Sequence, residues 1–245
     1  MVIRLLILFG GLFLNIGGMV AFSQTVPPHL EKGKLLYENN FNGPNTIQGW
    51  RMEGPGKAVI NKGALEIYAP DQEYHHVLWC PVDFPSNFIA EWDVQNLDPA
   101  GGLVIIFFAA KGAQNESIFD PKLKLRDGTF SHYTKSDINT YHISYYADSP
   151  ENTDRELAHL RKNKGFNLVY QGPIGIPKKS MKKHHVQLTK LDGLIEMYID
   201  DRLVIHWRDD GKAFGPILRD GKMGFRQMKW THFKYDNFKV WEIKP

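Results

Sequence analysis

The residues predict an all-β chain, two antiparallel sheets packed face to face with one short helix. Two observations carry that reading. Short aromatic and β-branched runs recur along the chain with turn residues between them, the habit of sandwiches built from many short strands. In Ile195–Asp200 the apolar residues Ile195, Met197 and Ile199 alternate with Glu196, Tyr198 and Asp200. Period two places one set on a buried face and the other toward solvent.

The strands are expected, in order, over 34–41, 58–68, 77–82, 87–96, 103–109, 140–147, 167–171, 184–190, 195–200, 203–207 and 223–243. Asn61-Lys62-Gly63, Leu191-Asp192-Gly193 and Asp200-Asp201 separate alternating runs in the manner of hairpin loops. The helix is expected over Asp154–Lys162. Thr153 followed by Glu156 fits a capping box, and Gly165 stands just past the end. No internal repeat or linker divides the chain, so residues 24–245 read as a single domain.

Residues 1–23 read as a cleaved export signal. Arg4 gives a basic start, Leu5–Val20 is an apolar run interrupted by glycines, and Ala21-Phe22-Ser23 offers small residues at a cleavage site. Cleavage would leave an exported chain, periplasmic or extracellular, with no membrane attachment. Cys80 is the single cysteine, so no intrachain disulfide forms and stability must come from core burial. A formal net charge of +3, spread along the chain, argues against a nucleic-acid binder.

Leu36-Tyr37-Glu38-Asn39-Asn40-Phe41 with Gly49-Trp50, and the closing runs Gly224–Met228 and Tyr235–Val240, are similar to the terminal strands of concanavalin A-like jelly-roll carbohydrate proteins. Val77–Pro81, Tyr141–Tyr146 and His159–Asn163 resemble the YesU-like bacterial family of unassigned function. Members of that family are encoded beside genes for degrading pectin and other polysaccharides. The resemblance implies a jelly-roll sandwich and a carbohydrate context.

Which chemistry the residues could support is a separate question. Jelly-roll glucanases place three acids as Glu-x-Asp-x-x-Glu, whereas Glu91-Trp92-Asp93-Val94-Gln95-Asn96 ends in an amide. Asn96 cannot transfer the proton, so Glu91 and Asp93 are expected on the solvent face of a strand with Trp92 and Val94 buried. No Gly-x-Ser-x-Gly elbow or phosphate loop occurs. The adjacent pairs His75-His76 and His184-His185 point to opposite faces and chelate nothing alone. No cofactor is expected, with structural calcium at Asp120, Asp127 or Asp137 as the open alternative.

The segment Tyr141–Phe166 concentrates the candidates. By parity His142, Ser144 and Tyr146 share one face of their strand, placed toward a cleft, and Tyr141, Ile143 and Tyr145 the other, placed toward the core. Arg155 and His159, four apart on the expected helix, stand on one side, with Arg161, Lys162 and Asn163 at its end. A β-elimination on an acidic poly- or oligosaccharide needs a cation on the uronate carboxylate, a base for the C5 proton and an acid for the leaving oxygen. Arg155 or Arg161 suits the first role, His142 or His159 the second and Tyr146 the third. Ser144, Arg161 and Asn163 complete the expected binding surface, with Trp79, Arg226 and Trp230; the aromatics Trp79, Tyr146 and Trp230 are candidates to stack on sugar faces. A polysaccharide lyase is therefore expected, with a non-catalytic glycan-binding module or a glycoside hydrolase of unusual mechanism as alternatives.

Overall fold

The computed structural model describes residues 30–70, 75–149, 152 and 155–244. The expected export signal at 1–23 lies outside the described residues, as do Thr153 and Asp154. From Glu31 onward the chain forms one compact unit.

Fifteen strands follow in order: β1 Lys32–Asn39, β2 Arg51–Glu53, β3 Lys57–Asn61, β4 Ala64–Tyr68, β5 His76–Phe84, β6 Phe88–Asn96, β7 Gly102–Gly112, β8 Ile138–Asp148, β9 Leu157–Asn163, β10 Asn167–Ile174, β11 Lys183–Leu191, β12 Leu194–Ile199, β13 Arg202–Arg208, β14 Gly221–Gln227 and β15 His232–Ile243. One sheet runs β13-β12-β11-β6-β15-β4-β3, with β1 also paired to β15. The other runs β10-β9-β8-β7-β14-β5-β2. The pairings between these strands are antiparallel. The two-sheet sandwich is thus as the residues predict.

The core lies between the sheets, where Trp92, Tyr145, Phe225, Tyr235 and Phe238 interlock. On β6, Ala90, Trp92 and Val94 face inward, while Glu91 and Asp93 face outward, ion-paired with Lys32 and Lys183, and Asp93 also hydrogen-bonds His185 Nδ1. That strand keeps the period-two pattern its sequence shows.

Strand β7 breaks the pattern for a reason. Its run Leu103–Ala110 is apolar without alternation because both faces are covered. Val104, Ile106 and Phe108 meet the core, and Leu103, Ile105 and Phe107 join Val77, Trp79, Tyr133 and Ile138 in a second cluster on the far face of the same sheet. Residues 113–137 cross over this cluster. They are pinned by Glu53, which takes Arg126 at 2.7 and 3.1 Å and the Trp79 indole N–H at 2.9 Å.

Three expectations are corrected here. Residues 157–163 form strand β9 rather than a helix. Ala158, Leu160 and Lys162 are buried and Leu157, His159 and Arg161 less so, a period of two that sheet pairing imposes over local helix signals. Among the described residues the one α-helix is the single turn α1, Ser131–Thr134, in the covering segment. The run 223–243 divides into β14 and β15 about a turn, and β2 was not anticipated.

Candidate functional site

Strands β8 and β9 build a polar patch on the outer face of the second sheet. Their register sets Thr140 opposite Asn163, His142 opposite Arg161 and Ser144 opposite His159. Directly opposed residues share a face, so the site residues from both strands are brought together. Arg155 belongs to the same group, and its Nη2 donates to Ser144 Oγ at 2.8 Å. The expected grouping of Arg155 with His159 survives the loss of the helix: Arg155 lies two residues before β9 and bonds to Ser144, the residue paired opposite His159.

The patch has a floor and a surface. His142, Ser144 and Asn163 are buried and form the floor; Arg155, His159 and Arg161 are half-buried and reach solvent. His142 is 2% exposed, walled by Phe107, Phe130 and Phe166. Burial, reinforced by Arg161, Arg226, Arg155 and His159, drives its pKa well below the usual histidine value, so it is neutral at pH 7. Asn163 Nδ2 donates to His142 Nδ1 at 2.8 Å, which leaves the ring proton on Nε2. A sealed ring with its Nδ1 lone pair engaged does not serve as the base that its strand position suggests.

His159 is the better placed histidine. Its Nε2–H donates to Gln171 Oε1 at 3.1 Å, which puts the lone pair on Nδ1, a shielded atom without a hydrogen-bond partner. Burial and then Arg155 and Arg161 lower its pKa. Arg161 stacks its guanidinium 3.9 Å from the Phe166 ring and donates to the Phe166 carbonyl at 3.0 Å. Burial lowers the pKa of both arginines, with Arg161 adding to the effect on Arg155. Among the described residues neither arginine has a carboxylate partner.

Four expected site residues fall elsewhere. Tyr146 is sealed in the core, its hydroxyl accepting from Asn96 Nδ2 at 3.0 Å and its ring packed on Phe233. A register shift between the Val104–Tyr146 and Ile105–Ser144 pairs turns it inward, since one extra residue reverses strand parity. Trp79 is fully buried beneath the covering segment. Arg226 is also fully buried, its guanidinium 4.7 Å from the Phe130 ring and 5.1 Å from that of Tyr133, donating to Gly128 O at 2.9 Å. Burial lowers its pKa to about 10. It lies under the patch and adds positive potential from below. Trp230 sits in the β14–β15 turn at φ 58° with Lys229 over its ring, so it does not continue the face of Arg226. Gln227 points to the core, as its opposite parity requires, and donates to Tyr235 Oη at 3.2 Å.

Sequence reasoning missed Phe130, Phe166 and Gln171. The signal for Gln171 was available: once 157–174 is read as a hairpin about Gly165, pairing sets it opposite His159. Asp120 and Asp127 each cap the backbone two residues on, Asp137 accepts from the distant Lys124 N–H, and among the described residues no three metal-ligating side chains gather. None of the helices described is long and apolar enough to cross a membrane.

Residues 34–240 match the domain of unknown function DUF1961. The chain belongs to this family. The "Uncharacterized protein YesU" of Bacillus subtilis (strain 168) is 35% identical over 213 residues, 86% of this chain and 96% of that protein. A crystal structure described as a protein of unknown function with galectin-like fold from Bacillus subtilis superposes with a TM-score of 0.84 at 34% identity, over 88% of this chain and all of the other. The carbohydrate-binding module CBM66 from Bacillus subtilis gives a TM-score of 0.53 at 17% identity, over 79% of this chain and 96% of the module. That last likeness is one of fold alone. This chain therefore shares a galectin-like sandwich with that solved relative, consistent with the jelly-roll resemblance of its terminal strands.

Proposed function

We propose that the chain is an exported, carbohydrate-directed protein that takes the carboxylate of an acidic poly- or oligosaccharide on the β8–β9 face, with β-elimination as its reaction. One observation carries the reading: Arg155 and Arg161 stand on one face with only neutral partners among the described residues. Two half-buried guanidinium groups without counter-charge make a site for an anion, and their planar forks match a carboxylate. The sugar-binding fold of CBM66 supports a saccharide as the bearer of that anion by analogy of architecture.

In the elimination, the arginines neutralise the uronate carboxylate and stabilise the enediolate that forms as C5 loses its proton. The His159 ring turns to present its Nδ1, shielded in the free protein, and accepts that proton; the C5–H electron pair becomes the C4–C5 double bond, and the C4–O bond breaks. The leaving oxygen then recovers the proton from His159. The imidazolium donates readily because burial, and then Arg155 and Arg161, disfavour it.

A second reading, a glycan-binding module without turnover, uses the same arginines. It is favoured by the burial of Tyr146, the expected acid, and by the shielding of His159 Nδ1. Incubation of the protein with pectic, alginate-like and ulvan-like polymers decides between them. Elimination predicts new ultraviolet absorbance from the unsaturated uronate end. Binding without absorbance or new reducing ends leaves the module; new reducing ends without absorbance indicate hydrolysis, and no binding to any of the three removes the acidic-saccharide proposal.

A further inference from the structure

A second constellation lies on the other sheet, around the start of β11. Ser180 Oγ is 2.7 Å from His184 Nε2, and His184 Nδ1 is 2.6 Å from Asp200 Oδ2. Neither contact follows from the strand pattern. Ser180 precedes β11 in an irregular segment, whereas Asp200 belongs to the turn between β12 and β13 and is held at φ 49° with Asp201 at 61°. Two left-handed residues in a two-residue loop make the tight hairpin turn that aims Asp200 back at β11. The carboxylate is fixed there by His185 N–H, which donates to Oδ1 at 2.9 Å. Burial raises its pKa, but the hydrogen bonds from His184 and His185 outweigh this and hold it below the usual carboxylate value, so Asp200 is an anion.

An anionic Asp200 accepts a hydrogen bond from His184 Nδ1–H, which leaves Nε2 as the acceptor for the Ser180 hydroxyl. That is the tautomer a general base requires. His184 is buried, whereas Ser180 is half-buried and open to solvent. Lys179 and Lys182, exposed on either side of it in sequence, add positive charge to the surrounding surface, which suits an anionic substrate.

We propose that Ser180, His184 and Asp200 form a hydrolytic centre for carboxylic esters borne by anionic molecules. Ser180 Oγ attacks the ester carbonyl carbon while its proton passes to His184 Nε2. The tetrahedral intermediate collapses, the C–O bond to the alcohol breaks, and the alcohol leaves with the proton from His184. Water then attacks the acyl-enzyme, giving its proton to His184, and the carboxylic acid departs as that proton returns to Ser180 Oγ. Ser180 and His184 are the catalytic residues and Asp200 a positioning residue.

The test does not depend on the saccharide reading. The full chain is treated with a fluorophosphonate and assayed with 4-nitrophenyl acetate. The expected result is a covalent adduct mapped to Ser180, with hydrolysis that S180A abolishes and D200N lowers by on the order of 10³–10⁴-fold while altering its pH profile. S180A removes one oxygen atom and is checked by its unfolding transition. Absence of an adduct on Ser180, or S180A hydrolysis equal to that of the parent, would overturn the proposal.

Discussion

Arg155, two residues before β9, donates to Ser144 Oγ on β8 at 2.8 Å. A hydroxyl is a weak partner for a half-buried guanidinium, since it brings no charge. Arg161, with a backbone carbonyl and a phenyl ring for company, is in the same position. An arriving carboxylate gives each the counter-charge that no described residue supplies. R155A and R161A are each expected to weaken binding of a polyuronate by about 10- to 100-fold, the range for a charged hydrogen bond of about 1.5–3 kcal/mol. Titration calorimetry at two salt concentrations checks this, and the parent should lose affinity with salt more steeply than either variant.

His159 differs from the arginines in its expected signature. If it carries the proton, H159A lowers kcat by about 10²- to 10⁴-fold with little change in binding. Q171A frees Nε2–H and lets the other tautomer compete, which nitrogen chemical shifts of the imidazole report directly. A full rate in a folded H159A variant removes the histidine from the chemistry.

His142 makes stability depend on pH. Its pKa is lowered well below 6.5 in the folded chain, chiefly by burial, so the unfolded chain binds the proton more readily. The contribution is therefore full above about pH 6.5 and is lost as pH falls below that value, at up to about 1.4 kcal/mol per pH unit. Denaturant titrations between pH 7 and pH 5 should show H142F declining less steeply than the parent.

Lys162 and Asp209 form an ion pair at 2.6 Å with side-chain exposures of 3% and 1%, and Asp209 also accepts from the Tyr141 hydroxyl. Removing one partner strands the other in the interior. K162M is expected to cost about 3–5 kcal/mol, measured by denaturant unfolding, whereas the exposed pair Lys244–Glu31 should tolerate K244M with little change.

Much of the sandwich was legible because its strands obey simple periods. Glu91-Trp92-Asp93-Val94 and Ile195–Ile199 alternate, and Asn61-Lys62-Gly63 and Asp200-Asp201 mark their hairpins with left-handed residues. The site was legible in part. His142, Ser144, Arg155, His159, Arg161 and Asn163 do come together, although β9 is a strand, because the register sets Ser144 opposite His159 and Arg155 bonds to Ser144. Tyr146 was lost to a register shift that no parity argument can foresee. Trp79 and Arg226 were lost because residues 113–137 fold back over the outer face of the sheet, a tertiary cover with no local signature. Only the unbroken apolar run of β7 hints at it.

The most direct measurement is the structure of the chain with a bound uronic-acid oligosaccharide. The account predicts the carboxylate between Arg155 and Arg161, within hydrogen-bond distance of both, with a sugar C5 carbon turned toward His159. A saccharide seated on the opposite sheet, or bound with its carboxylate away from both arginines, would contradict it.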